Sequence, residues 1–141
     1  MSTIAVEIMT PERLVMQTQA DSVVVPASDG ELGILPHHTP LLAQLQPGQV
    51  RLRHGDALEL FAVSGGFVQV EANKVSIFAE TAEMPHEIDV ERARQAADRA
   101  RQQLKVAISD IDLAQAEFAL RRALARLHAT EGLARAHQKT H

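Results

Sequence analysis

Between Ile4 and about Ala82 the hydrophobic positions recur every second residue. Ile4, Val6 and Ile8 alternate with Ala5, Glu7 and Met9, and Val50 and Leu52 alternate with Arg51 and Arg53. A period of two puts one face of a strand in a core and the other in water. Turn-forming clusters interrupt the runs at Thr10-Pro11, Ser28-Asp29-Gly30, Gln46-Pro47-Gly48, His54-Gly55-Asp56, Ser64-Gly65-Gly66 and Ala72-Asn73-Lys74. Short strands punctuated this often predict a β-sandwich or barrel. Val23-Val24-Val25 reads as a strand buried on both faces, and Leu58 to Val63, Phe67 to Glu71 and Val75 to Glu80 read as a meander.

After Pro85 the period changes. Val90, Ala93, Ala97, Ala100, Leu104, Ala107 and Ile111 alternate spacings of three and four, which is a heptad seam. A second seam, Leu113, Ala116, Leu120, Ala123 and Leu127, follows Ser109-Asp110-Ile111-Asp112, whose Ser and Asp side chains suit a helix N-cap. Asp89 is the expected N-cap of the first helix, with Glu91 in the first turn, where the helix dipole favours an anion. Gly132 is the expected stop of the second helix, and Ala134 to His141 the expected frayed tail. The predicted fold is α+β in two segregated parts: a β-sandwich or barrel over residues 1–84 and an antiparallel two-helix hairpin over residues 85–141.

Four of the seven positions in the first seam are Ala. Burying a Leu, Ile or Val contributes roughly 1.5–3 kcal/mol, an Ala methyl only a fraction of that. Such a hairpin leans on the sandwich or on another chain and is a candidate for a detachable element. The same alanines also maximise helix propensity on a permanently docked hairpin, and spacing does not separate the two readings.

Composition narrows the functional classes. The 141 residues suffice for one domain, or a small domain with an appendage. Only 3% are aromatic, all of them Phe, so aliphatic and Ala contacts must fill the core. A net charge of -4 argues against a general nucleic-acid binder. With no Cys there is no disulfide framework and no thiolate site. The opening Met1 to Glu7 lacks the basic and apolar regions of a signal peptide, so the chain is expected to stay where it is made. No run approaches the roughly 18 apolar residues of a membrane helix, so membrane association is expected only through a partner. A G-x-x-x-x-G-K-[ST] loop is missing, and Ser64-Gly65-Gly66 lacks the G-x-S-x-G frame of a nucleophile elbow. His37 and His38 are adjacent and point apart in an extended chain, which favours loop packing over a metal site.

The arginines carry more information. Arg92 and Arg99 are seven apart on the first helix, and Arg122 and Arg126 four apart on the second, so each pair shares a helix face. In an antiparallel hairpin turning near Asp110, Arg99 falls level with Arg122 and Arg92 with Arg126. Guanidiniums at matched depth repel one another unless an anion lies between them, and their planar donors suit phosphate and carboxylate. A solvated arginine face with scattered acids such as Asp98 and Glu117 fits the same spacing.

The run Gly30-Glu31-Leu32-Gly33-Ile34-Leu35-Pro36-His37-His38-Thr39-Pro40-Leu41-Leu42 resembles the signature G-E-L-G-I-L-P-x-H-[TA]-P-L-L of the epsilon subunits of bacterial F-type ATP synthases. The resemblance continues through Pro47-Gly48, Ser64-Gly65-Gly66-Phe67 and Ala79-Glu80-Thr81-Ala82 into the helical C-terminus, and so covers nearly the whole chain. It implies a non-catalytic rotor subunit of the central stalk, peripheral on the cytoplasmic face of the inner membrane, coupling proton flow to ATP synthesis. Its implied partners are the gamma subunit, the c-ring and, through the hairpin, the alpha/beta catalytic hexamer. By similarity Ser28, Asp29, Gly30, Glu31, Leu32 and Gly33 face the c-ring, and His38, Thr39, Pro40, Leu41 and Leu42 lie toward gamma.

Ile88-Asp89-Val90-Glu91-Arg92-Ala93 is similar to the family's [IL]-D-x-x-R-A motif, associated with ATP binding. The resemblance implies an ATP site of Glu83, Ile88, Asp89, Arg92, Ala93, Arg99, Arg122 and Arg126, with ATP as a regulatory ligand, no obligate cofactor and no metal. Two other classes stay open: a stand-alone ATP-binding sensor, and a small metal hydrolase using His37 and His38. Stoichiometric association with gamma separates the rotor subunit from the sensor, and chelator sensitivity would mark the hydrolase.

Overall fold

The computed structural model describes residues 2–139, with side chains described for residues 2–131. The strands are β1 (Ile4–Met9), β2 (Leu14–Ala20), β3 (Ser22–Ala27), β4 (Gly30–Ile34), β5 (Leu41–Leu45), β6 (Gly48–His54), β7 (Ala57–Val63), β8 (Gly66–Glu71), β9 (Lys74–Ala79) and β10 (Ala82–Glu83). A 3₁₀ turn at Pro85–Glu87 leads into α1 (Val90–Val106) and α2 (Asp110–Lys139).

All ten strands form one sheet that folds over on itself. Strand β3 is the joint: β4 pairs along one edge, while the other edge is shared by β6 at Ser22 to Val24 and by β5 at Ala27. One leaf runs β10-β7-β6-β3 with β4 beside it, and the other runs β5-β8-β9-β1-β2. Alternate side chains of both leaves meet in the core, including Ile4, Val6, Ile8, Val23, Ile34, Leu52, Phe61, Val68 and Ile77. The sandwich anticipated from period two is therefore the observed fold.

Two expectations for the sandwich change. Val24 is half-buried while Val23 and Val25 are buried, so β3 buries one face. Burial on both faces occurs instead on β7, where Leu60 to Val63 are all buried. Phe61 and Val63 point into the core, and α2 packs across β7 and β6 to cover the other side. The meander breaks between β7 and β8: β7 pairs with β6 and β10, whereas β8 crosses to the other leaf and pairs with β5 and β9. The crossing is made at Gly65 and Gly66, with φ of 123° and 120°. A Cβ on Gly66 would lie 1.9 Å from the Phe78 carbonyl oxygen, so only glycine fits that corner.

Asp89 caps α1 as expected, its Oδ1 accepting from the Arg92 backbone N–H at 3.1 Å. Ser109 caps α2, its Oγ accepting from the Asp112 N–H at 3.1 Å. The seam is buried at Ala93, Ala97, Ala100, Ala116 and Ala123, but it opens toward the hairpin tip, where Ile108 is 95% and Ile111 72% exposed. The helix does not stop at Gly132 but continues to Lys139. Glycine in a helix costs only about 1 kcal/mol, and the strong helix formers on both sides carry the backbone through. The end of the tail expected to fray, residues 140–141, lies outside the described residues. Among the described residues no helix is long and apolar enough to cross a membrane.

Candidate functional site

Where the hairpin lies on the sandwich, a cavity of about 620 Å³ opens between α1, α2 and the β7–β10 edge. Its apolar floor is Ala62, Val63, Ala96, Ala100, Ala119 and Ala123. The room exists because the helix positions facing it, Ala100 and Ala123 of the seam and Ala96 and Ala119 beside it, are Ala; larger side chains there would fill it. Around this floor stand Arg99 and Gln103 from α1, Arg122 and Arg126 from α2, and Ser64, Thr81 and Glu83 from the sandwich.

The arginines are not equivalent. Arg126 is half-buried and forked onto Glu83: its Nη2 donates to Oε2 at 3.0 Å, and Nε lies 2.9 Å from Oε1. The Nε contact is an ion-pair contact off the donor line, which leaves that N–H without an aligned acceptor. Arg122 sits over the Phe118 ring, 5.3 Å from its centroid, a cation–π contact worth about 0.5–1 kcal/mol at an exposed position. Among the described residues neither Arg99 nor Arg122 has a carboxylate within ion-pair distance. Two uncompensated guanidiniums therefore face one cavity, and an anion entering it would gain charge-assisted hydrogen bonds from both helices at once.

Of the residues expected at an ATP site, Glu83, Arg99, Arg122 and Arg126 come together at this cavity; Ile88, Asp89, Arg92 and Ala93 do not line it. Ile88 and Ala93 pack with Ala62 and Ala129 in a small apolar cluster that closes the seam at that end. Asp89 is occupied as the helix cap, and Arg92 is exposed beyond the cluster. The level pairing of Arg99 with Arg122 thus produces a shared cavity, whereas Arg126 turns to Glu83 and leaves Arg92 outside. Spacing missed Gln103, Ser64 and Thr81. Gln103 was readable as one turn beyond Arg99, but the two hydroxyl residues reach the cavity only through strand pairing.

The other expected contact segments lie on the sandwich. Ser28, Asp29, Gly30, Glu31 and Gly33 are exposed at the β3–β4 hairpin, with Leu32 half-buried. Glu31 pairs with Arg51 and lines a second cavity of about 590 Å³ against α2. Thr39, Pro40 and Leu42 are exposed, with His38 and Leu41 half-buried. Leu42 is 71% exposed, and it shares the outer face of β5 and β8 with Phe67, which stacks on Phe78 at 4.9 Å. His37 donates its backbone N–H to Asn73 Oδ1 at 2.8 Å, which ties this loop to the β8–β9 turn. Among the described residues no three candidate metal ligands cluster.

A folded-over β-sandwich with a two-helix hairpin docked along one edge defines a two-part class of protein. Residues 3–85 match the family described as ATP synthase, Delta/Epsilon chain, beta-sandwich domain, and residues 86–131 match its long alpha-helix domain. The chain is 50% identical over 128 residues to the ATP synthase epsilon chain of Halalkalibacterium halodurans, covering 90% of this chain and 96% of that one. It is also 50% identical over 130 residues to that of Moorella thermoacetica, covering 92% and 97%. A chain of the Euglena gracilis mitochondrial ATP synthase, solved as OSCP/F1/c-ring, shares the fold with a TM-score of 0.78 at 24% identity, over 92% of this chain and 81% of that one. The chain belongs to the ATP synthase epsilon family, whose members are non-catalytic subunits of that complex.

Proposed function

We propose that this chain is the rotor-stalk epsilon subunit of a proton-translocating F-type ATP synthase, and that its hairpin is an ATP-sensitive restraint on hydrolysis. The sandwich holds the gamma subunit and the c-ring, and the complex stands on the cytoplasmic face of the membrane. The observation that carries the regulatory part is the cavity in which Arg99 and Arg122 stand uncompensated on an Ala seam beside the Arg126–Glu83 pair. ATP phosphates there would tie both helices to the sandwich edge. Without ATP, the weakly packed hairpin is free to open and offer the same guanidiniums to acidic surfaces of the alpha/beta hexamer. A ligand needs a differential affinity of only a few kcal/mol to shift such a population. Membership of the family at 50% identity supports the stalk assignment, and the c-ring assemblies in which the fold recurs are consistent with it.

The test is an ATP titration by calorimetry. Arg99→Ala and Arg122→Ala are each expected to weaken binding by about tenfold or more, the loss of a charge-assisted hydrogen bond. In the assembled complex, deleting residues 86–141 is expected to raise ATP hydrolysis while leaving coupled synthesis intact. Unchanged ATP affinity in both variants would reduce the cluster to a solvated face, and unchanged hydrolysis after deletion would remove the inhibitory role.

A further inference from the structure

Ser64 is the one buried polar or charged residue among the described residues, at 7% exposure. It lies at the β7–β8 corner, and Thr81 lies just before β10. Ser64 belongs to a run that local patterning explains only as a turn, yet the fold sets it beside Thr81. The Ser64 N–H donates to the Thr81 carbonyl at 3.3 Å, and the Thr81 hydroxyl donates to Ser64 Oγ at 2.6 Å. Both residues line the arginine cavity. Two hydroxyls carry two hydrogens, and the bond between them uses one. With the Thr81 hydroxyl donating, the O–H left to be given away is that of the buried Ser64, and leaving it unused would cost about 1–3 kcal/mol.

The cavity also has a direction. Strand β10 pairs Glu83 with Ala62 and Ala82 with Val63, so Thr81 and Ser64 lie two residues farther along, about 6.6 Å from Glu83 at strand spacing. Glu83 neutralises Arg126 at one end. At the other, Phe118 packs over Gly65, 3.5 Å from where a Cβ would sit, and holds Arg122 on its ring. The free hydroxyl hydrogen and Arg122 are thus toward the same end, where the exposed Glu80 carboxylate also stands, its Oε2 3.9 Å from that same Cβ position.

We propose that the Ser64–Thr81 hydroxyl pair is the sandwich's own hydrogen-bond donor to the anionic end of the ligand held by Arg99 and Arg122. The assignment rests on the nucleotide reading above and adds to it the direction in which the polyphosphate lies, away from the Arg126–Glu83 pair. It also makes the ligand a bridge between the sandwich and both helices through contacts that the arginines alone do not supply.

Calorimetry on the full chain, with ATP and with inorganic tripolyphosphate as separate titrants, tests this directly. Ser64→Ala is expected to weaken both by about tenfold, with the ligand-free melting transition retained. Thr81→Val, at an exposed position, is expected to weaken both several-fold, and Thr81→Ser to restore them. Wild-type affinities in folded Ser64→Ala and Thr81→Val would overturn the pair's role and leave the nucleotide reading standing. Loss of ATP affinity alone, with tripolyphosphate unaffected, would overturn the assignment to the anionic end. Binding of neither titrant by the wild-type chain would overturn the nucleotide reading itself, and this inference with it.

Discussion

The sandwich and the hairpin are both well ordered in backbone pattern but are held by different kinds of side chain. The interior of the sandwich includes Phe61, Ile4, Ile8, Ile34, Leu52 and Ile77, all fully buried, whereas among the described residues those buried on the two helices are Ala93, Ala97, Ala100, Ala116, Ala123, Ala125 and Ala129. Each large aliphatic side chain removed from water contributes roughly 1.5–3 kcal/mol, against well under that for an Ala methyl. The sandwich therefore buries the larger share of apolar side chain, while the hairpin is positioned by the contact of α2 with β6 and β7. Small side chains that contribute little to docking also leave the space that the arginines face. Low apolar burial on the helices and an open cavity thus have one physical cause.

Substitutions on the two sides should separate the regions, with the largest effect in the sandwich. Phe61→Ala leaves a void in a core shared by both leaves and is expected to cost about 3–5 kcal/mol. Urea unfolding should show the loss as one cooperative shift of the sandwich transition. A loss as small as that of a seam alanine would erase the contrast between the regions.

Ala97→Leu, at a seam position 1% exposed, should cost about 1–3 kcal/mol through overpacking and should act locally. Hydrogen exchange is expected to speed up across α1 and the docked part of α2 while the protection of β1, β8 and β9 stays unchanged. If the sandwich loosened as well, the two regions would be one cooperative unit. The smallest effect is expected from Asp89→Ala, which removes the cap on the Arg92 N–H and should cost about 1 kcal/mol. It should appear as faster exchange in the first turn of α1, and faster exchange throughout the sandwich would again argue against separable parts.

What the sequence determined by itself is the local share of this protein. Alternation marked β1, β6 and β9, the cap residues Asp89 and Ser109 sit where their side-chain chemistry requires, and the three-four spacing of the alanines marked the seam. Spacing also put Arg99 level with Arg122, because helical rise and an antiparallel turn fix depth without any knowledge of the surroundings. A period states which face of an element is apolar but not what covers it. Only the tertiary structure decided that β7 and not β3 is buried on both sides, since that depends on where α2 lands. It alone joined Arg126 to Glu83, left Arg92 beyond the Ile88–Ala93 cluster, and brought Ser64 to Thr81 at the edge of the cavity. Those contacts lie between residues far apart in the chain, and they are made by the packing of one leaf and one hairpin rather than by the preference of any short segment.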